Sequence, residues 1–479
     1  MIKFTSFFTL FLLFSFNISS QNAPNVIIFI GDDISWDDFG CYGNPYVQTP
    51  NIDKLASEGI KFNNFYLTAS SCSPSRNSII TGRYPHNTGA AELHTEPPVW
   101  MKSFPEILNE NGYYTAQAGK FHMGEYAKRG FSKVSLKENG DGGERKWVEF
   151  IQDRPKEKPF FMWFAAFDAH RGWGENEFSN THNPKDIEPP FYLADEEATK
   201  IDLAKYYDEI KRFDYYIGKV VDELEKQNEL DNTLIIVMAD NGRPFPHSKT
   251  RVNDRGMKTP FVVFGPKNLV KRNAESNALV SAIDIAPTIL SAANVTIDEQ
   301  FQGVSFEKVL KKPSSAFRNH VFAEHNWHDY EAYERMVRTK DFMYIFNARP
   351  NFPQSGPADA VGSPSYKDLL QLKENRELSA IQADIFVTPR PSEELYDMKS
   401  DSLQLLNVAS VPSYKNELER MKTTLKTWME TTGDNIPKDL TKDWYERKPD
   451  YVKTPDFEVR GEMPGEAKNA VKNNNKGAF

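Results

Sequence analysis

Cysteine is nearly absent: Cys41 and Cys72 are the only two in 479 residues. That scarcity excludes a disulfide-built scaffold and a zinc or iron–sulfur site made of cysteines. A basic excess is missing too. Lys and Arg number 58 against 67 Asp and Glu, a net charge of −9, whereas a general nucleic-acid binder carries a positive surplus. There is no internal repeat, and beyond Phe16 no apolar run reaches the ~20 residues that span a bilayer. What the chain does have is 39% hydrophobic and 13% aromatic residues, enough for a large core, so disorder and a collagen-like fibre are excluded for its bulk.

The N-terminus sets the compartment. Lys3 supplies a positive start, Phe4 to Phe16 is an apolar run, and Asn17 to Ser20 is small and polar, which is the layout of a secretory signal peptide. Cleavage is expected near residue 20. The run is too short for an anchor, and no cysteine at the cleavage site is available for lipidation. The mature chain is therefore expected to be exported, periplasmic or secreted, without a membrane span.

Four apolar runs read as buried strands and end in polar residues. Val26–Ile30 runs into Asp32-Asp33, Tyr113–Ala118 into Gly119-Lys120-Phe121-His122, Pro159–Phe167 into Asp168-Ala169-His170, and Leu234–Met238 into Asp240-Asn241-Gly242. Ligand crevices of open α/β sheets lie at the carboxyl ends of strands, so the four endings are expected to converge on one site. Helices are expected over Asn51–Gly59, after the capping box Ser103-Phe-Pro-Glu106, over Lys200–Gln227 and over Ser413–Glu430. After Pro313 short strand-like runs alternate with loops, which suggests a smaller α+β domain. The expected division is signal 1–20, catalytic domain 21–333, smaller domain 334–466 and a loose tail 467–479.

Asp32, Asp33, Asp240 and Asn241 offer only oxygen ligands, and adjacent carboxylates are costly to assemble without a cation. Ca²⁺ fits, Mg²⁺ less well, and zinc poorly. As turn residues after strands either pair alone would mean little. Both pairs together point to metal.

The most specific feature is Ser71-Cys72-Ser73-Pro74-Ser75-Arg76, followed by Thr81-Gly82-Arg83. A buried thiol or a Cys41–Cys72 disulfide would also account for Cys72 alone. The Cys-x-Pro-x-Arg segment with the Thr-Gly-Arg after it resembles the signature of type I sulfatases, in which the cysteine becomes formylglycine (3-oxoalanine). Thr49-Pro-Asn-Ile-Asp53, Gly119 to His122, His170, Asp240 to Gly242 and Glu394 to Asp397 follow in the family's order. Ala169-His-Arg171 and Asp240 to Pro246 are most similar to the N-sulfoglucosamine sulfohydrolase (sulfamidase) branch and bacterial polysaccharide sulfatases.

The resemblance implies an alkaline-phosphatase-like α/β fold: a large mixed, mostly parallel sheet sandwiched by helices, with a smaller C-terminal α+β domain containing an antiparallel sheet. It implies Ca²⁺ held by Asp32, Asp33, Asp240, Asn241 and the formylglycine at 72, with Arg76 holding that residue's oxygens. Lys120 and Lys249 would grip sulfate, His170 would protonate the leaving group, and His122 would take a proton when sulfate is expelled. The Lys249 assignment rests on its spacing before Arg255-Gly256-Met257-Lys258, where Arg255 replaces the usual glycine and Lys258 the usual arginine.

Candidate substrate contacts are His94, Arg171, His247, His325, His328 and Arg335, since sugar sites combine aromatic faces with charged hydrogen-bonding groups. The implied substrate is a sulfated polysaccharide or its oligosaccharides, of heparan type or an algal polymer such as ulvan. The implied partner is a formylglycine-generating or anaerobic sulfatase-maturating enzyme. Two rival readings are a phosphonate or phosphodiester hydrolase of the same superfamily and a non-catalytic glycan-binding relative.

Overall fold

Strands without polar alternation must be buried on both faces, and the chain meets this demand with one central sheet covered on each side. The computed structural model describes residues 23–446, 452–453 and 460–479. The expected signal peptide lies outside the described residues. The sheet is built from β1 (Asn25–Gly31), β2 (Ile60–Phe62), β3 (Tyr114–Gly119), β4 (Lys133–Ser135), β5 (Phe160–Ala165), β6 (Thr233–Ala239), β7 (Phe261–Phe264) and β8 (Ala274–Ser276). Their spatial order is β4-β3-β5-β1-β6-β7-β2-β8. β3, β5, β1 and β6 run parallel, while β7 is antiparallel to both β6 and β2.

Side-chain alternation divides the core in two. Val26, Ile28 and Ile30 of β1 join Leu234, Ile236 and Met238 of β6 in one buried cluster. Ile27 and Phe29 join Ile235 and Val237 in the other. The second cluster is closed by α3 (Glu197–Lys226), which follows α1 (Pro50–Glu58) and α2 (Cys72–Thr81) in the chain. Leu203, Tyr206, Ile210, Phe213, Ile217, Val220 and Leu224 keep helical spacing along its buried stripe.

The smaller sheet is antiparallel, in the order β9 (Val321–His325), β10 (Glu334–Arg338), β11 (Phe342–Asn347), β12 (Glu393–Asp397). Helix α4 (Lys415–Thr432) covers it with Met421, Leu425 and Trp428, the last stacked 4.8 Å from Phe322. β9, which lies on the catalytic-domain side of the expected boundary at 333/334, pairs with β10 on the other side of it.

The end of the chain is not the loose tail its composition suggests. Arg83 is buried with no carboxylate beside it, and burial pushes its guanidinium down to about 10. Its donors go to the carbonyls of Val471 (3.1 Å) and Asn473 (2.8 Å) and to Asn474 Oδ1 (2.7 Å). Gln302 Nε2 donates to the Asn475 carbonyl at 2.8 Å. Deleting residues 471–479 is expected to cost about 3–5 kcal/mol, at about 1 kcal/mol per lost hydrogen bond and more for a buried donor left bare. Denaturant unfolding of the truncated chain measures this, and an unchanged midpoint would show the contacts carry no stability.

Candidate active site

The parallel order β3-β5-β1-β6 brings four polar strand ends side by side. Asp32 and Asp33 follow β1, Lys120 and His122 follow β3, Asp168 and His170 follow β5, and Asp240 and Asn241 follow β6. Cys72 is the first residue of α2, a helix buried along its whole length. The Thr-Gly-Arg after it has a local reason. Gly82 ends α2 at φ 62°, donating to the carbonyls of Ile79 and Ser78, and a Cβ there would sit 2.6 Å from Phe301.

Cys72 Sγ lies 3.6 Å from Asp32 Oδ1, 4.0 Å from Asp33 Oδ1 and 3.5 Å from Asn241 Nδ2. Both cysteines are free, so no disulfide links Cys41 to Cys72. Around this point the buried carboxylates and cations alternate. Lys120 Nζ donates to Asp32, Lys249 Nζ to Asp33 at 2.7 Å, and Arg76 Nε to Asp240 at 2.6 Å. Burial alone would raise the Asp32 carboxyl, but Lys120, His170 and Arg76 hold it well below the carboxylate range. Burial prevails at Asp33 despite Lys249, and at Asp240, pushed up to about 6 despite Arg76. It also pushes the Cys72 thiol up to about 12, although Lys120 and Lys249 oppose it.

These residues fit a hard divalent cation. Ligand atoms of Asp32, Asp33 and Cys72 lie within 4.8 Å of one another. Asn241 Oδ1 is buried without a hydrogen-bond partner, an acceptor with nothing to accept from. Carboxylate and amide oxygens are the ligands Ca²⁺ takes.

Two histidines flank the centre from different sides. His170 Nδ1 donates to the Arg171 carbonyl at 2.9 Å, since a carbonyl only accepts, so Nε2 faces Asp359 (3.8 Å) and Asp33 (4.0 Å). His122 Nε2 is 2.8 Å from His94 Nδ1, and the His94 ring stacks 5.4 Å from Trp444. Burial, aided by Lys120, pushes the His122 imidazole down to about 2, so it is neutral.

The substrate candidates separate. His94 belongs to the centre through His122. His328 is buried with Nδ1 2.8 Å from Ser71 Oγ, supporting the residue before Cys72. Arg171 lines the cavity beside His170, but its guanidinium is held by Asp202 through two 2.8 Å bonds and by the Pro244 carbonyl. His247 is buried beside Tyr192, with Nδ1 3.9 Å from Asp384. His325 lies 3.3 Å from Glu334, and Arg335 is 0% exposed and bound to Asp434 at 2.6 Å. His325 and Arg335 are engaged within the smaller unit, whereas both ring nitrogens of buried His247 have no hydrogen-bond partner among the described residues.

Sequence reasoning missed Asp359, whose Oδ2 accepts from Lys249 Nζ at 2.9 Å. It also missed Trp444 and the carboxylates Asp141, Glu175 and Glu209, which line a cavity of about 450 Å³ opening beside Lys120 and His170. Asp359 lies 110 residues from Lys249, in the first turn of a four-residue helix (Ala358–Val361) whose Gly-Pro-Ala-Asp sequence carries no local signal.

A cation cradle, three fixed positive side chains and a helix-borne residue 72 between them define a hydrolase acting on esters of a small tetrahedral oxyanion. The chain belongs to the sulfatase family, whose model matches residues 24–142 and 145–295. A second model, described as the C-terminal part of N-sulphoglucosamine sulphohydrolase, matches 247–347. An ulvan-active sulfatase of Formosa agariphila is 29% identical over 473 residues, covering 86% of this chain and 76% of that protein. Human N-sulphoglucosamine sulphohydrolase is 27% identical over 475 residues, covering 88% and 93%. A structure solved with its substrate D-glucosamine-2-N,6-O-disulfate shares the fold, with TM-score 0.67 and 21% identity over 85% of this chain and 98% of that one. The alkaline-phosphatase-like architecture expected from the motifs is therefore the one the chain adopts.

Two measurements follow from this geometry. Added at one hundred times its dissociation constant, Ca²⁺ is expected to stabilise the fold by about 2.7 kcal/mol. The rise in melting midpoint should vanish in Asp240→Asn, and an equal rise in that variant would move the ion elsewhere. Arg335→Ala is expected to destabilise by about 3–5 kcal/mol, because Asp434 loses its buried partner. The folded fraction should keep the parent KM, whereas a raised KM at unchanged stability would restore a substrate role.

Proposed function

We propose that the chain is an exported sulfatase that removes sulfate from a sulfated polysaccharide or its oligosaccharides. In this reading Cys72 is converted to formylglycine by a maturating enzyme, and Asp32, Asp33, Asp240 and Asn241 hold Ca²⁺. The observation that carries it is the position of Cys72: first residue of a buried helix, within 4.0 Å of the Asp32 and Asp33 carboxylates, with Arg76, Lys120 and Lys249 all turned into the same space.

Converted to the hydrated aldehyde, residue 72 would supply an oxygen nucleophile for sulfur and a second hydroxyl whose deprotonation would free the sulfate, and Ca²⁺ held by Asp32, Asp33, Asp240 and Asn241 would supply the charge that activates it. The chain's own groups do the rest. Asp33 and Asp359 outweigh the burial of Lys249 and keep it a cation, so with Lys120 and Arg76 it offsets charge on the sulfuryl oxygens. His170 points Nε2 towards the centre and delivers a proton to the departing sugar oxygen or nitrogen. His122, its ring fixed by His94, would take the proton of the second hydroxyl once the negative charge of the bound sulfate raises its imidazole from its low value.

The polymeric substrate is supported by the names of the relatives, one ulvan-active and one acting on N-sulphoglucosamine. The cavity beside His170 adds a constraint. Exposed Asp141 and Glu175 favour sugar hydroxyl or amino groups there over a second anion, Glu209 being paired with Arg212. Export is supported by the N-terminal segment.

The test pairs mass spectrometry of the peptide carrying residue 72 with turnover of an aryl sulfate against an aryl phosphate. Aldehyde at residue 72 and preference for sulfate are expected. An unmodified thiol, or preference for phosphate, overturns the reading. Cys72→Ala should lower kcat by about 10³-fold or more with the melting midpoint unchanged, because the side chain's contribution is chemical.

A further inference from the structure

Arg255 and Lys258 depart from the family-like segment, and the catalytic centre does not use them. Both line a second cavity of about 550 Å³ that shares no lining residue with the cavity at His170. Its walls come from the loop after the Asp32-Asp33 pair (Trp36), the 188–192 loop, the segment after Asn241, and the smaller unit through Lys340 and residues 398–404. Lys258 Nζ sits 3.9 Å over the Trp36 ring, and the Arg255 guanidinium 5.6 Å over Tyr192. Phe191 is 44% exposed at the rim.

The carboxylates of the inner wall are already engaged. Asp37 pairs with Arg243, and Asp254 lies 3.6 Å from Arg338. That leaves Arg255, Lys258 and Lys340 without a carboxylate at ion-pair distance among the described residues, against the single exposed Glu188. On a chain of net charge −9, such a surplus around the exposed Phe191 and half-buried Trp36 is a local exception.

We propose that this cleft is a second, non-catalytic binding site for an anionic saccharide. Trp36 and Phe191 would take the C–H faces of pyranose rings, and Lys258, Arg255 and Lys340 their sulfate or carboxylate groups. A volume of about 550 Å³ lies within the range of saturable ligand sites and admits a short stretch of chain. Burial pushes the Lys258 ammonium down, a cost that a bound anion relieves. The choice of a sulfated glycan as ligand rests on the sulfatase reading. The site holds polymer close to the enzyme, so it acts on KM for polymer and not on the chemical step.

The test uses full-length Cys72→Ala protein with ulvan and heparan sulfate as probes, each beside its desulfated form, in affinity electrophoresis. The parent should be retarded by a sulfated polymer, and Lys258→Gln with Lys340→Gln should weaken this about tenfold. The same pair in active enzyme should change aryl sulfate turnover by less than about twofold. Trp36→Ala should weaken retention as well, its fold checked by melting. The proposal is overturned if the paired variant binds as the parent does, if neither polymer is retained, or if desulfated polymer binds equally. It is also overturned if a single-stranded oligonucleotide is held as tightly through the same lysines, or if turnover falls in parallel. Absence of any aryl sulfate turnover would instead refute the sulfatase reading, while the retention comparison would stand.

Discussion

The electrostatic balance around Asp32, Asp33 and Asp240 is the constraint on which the rest of this molecule depends. Each carboxylate is fully buried at the end of a parallel strand, where an unpaired charge costs several kcal/mol. Arg76, Lys120 and Lys249 answer them one for one, and each arrives from a different element: α2, the end of β3 and the loop after β6. Asp359 then adds a further negative charge through Lys249, so the protein alone leaves the centre short of positive charge. A divalent cation would complete the sum, and the arrangement that fits one would also attract a tetrahedral oxyanion.

Much of this was legible in the sequence because the informative residues are local to strand ends. Apolar runs that are buried on both faces carry no polar interruption, and each stops at the residue that serves the site: Asp32, Lys120, His170, Asp240. The Cys-x-Pro-x-Arg turn is legible for the same reason, since one helical turn places residues 72 and 76 on one face. Asp359 and Trp444 were illegible because their positions are set by the packing of a second unit, which no short-range pattern encodes. His325 and Arg335 misled for a related reason. A polar, aromatic cluster looks alike in sequence whether it faces a sugar or is spent on Glu334 and Asp434 inside a sheet.

The tail shows where composition fails as a guide. Residues 471–479 are rich in Asn and Lys, and composition alone assigns them to solvent. What holds them is the need of a buried Arg83 for carbonyl acceptors, a demand located nearly four hundred residues earlier in the chain. Charge composition fails in the same way: an overall surplus of acid coexists with three buried cations at the centre and with a cationic, aromatic cleft lined by other residues.

The contact between Arg83 and residues 471–474 has a consequence for access. Cys72 is 2% exposed once α2 is packed, so any modifying enzyme must reach it before the fold closes. Arg83 stands one residue beyond the glycine that ends that helix, and its acceptors lie nearly four hundred residues further along the chain. Enclosure of residue 72 is therefore tied to a contact between two distant stretches of sequence, and local folding around α2 does not complete it alone.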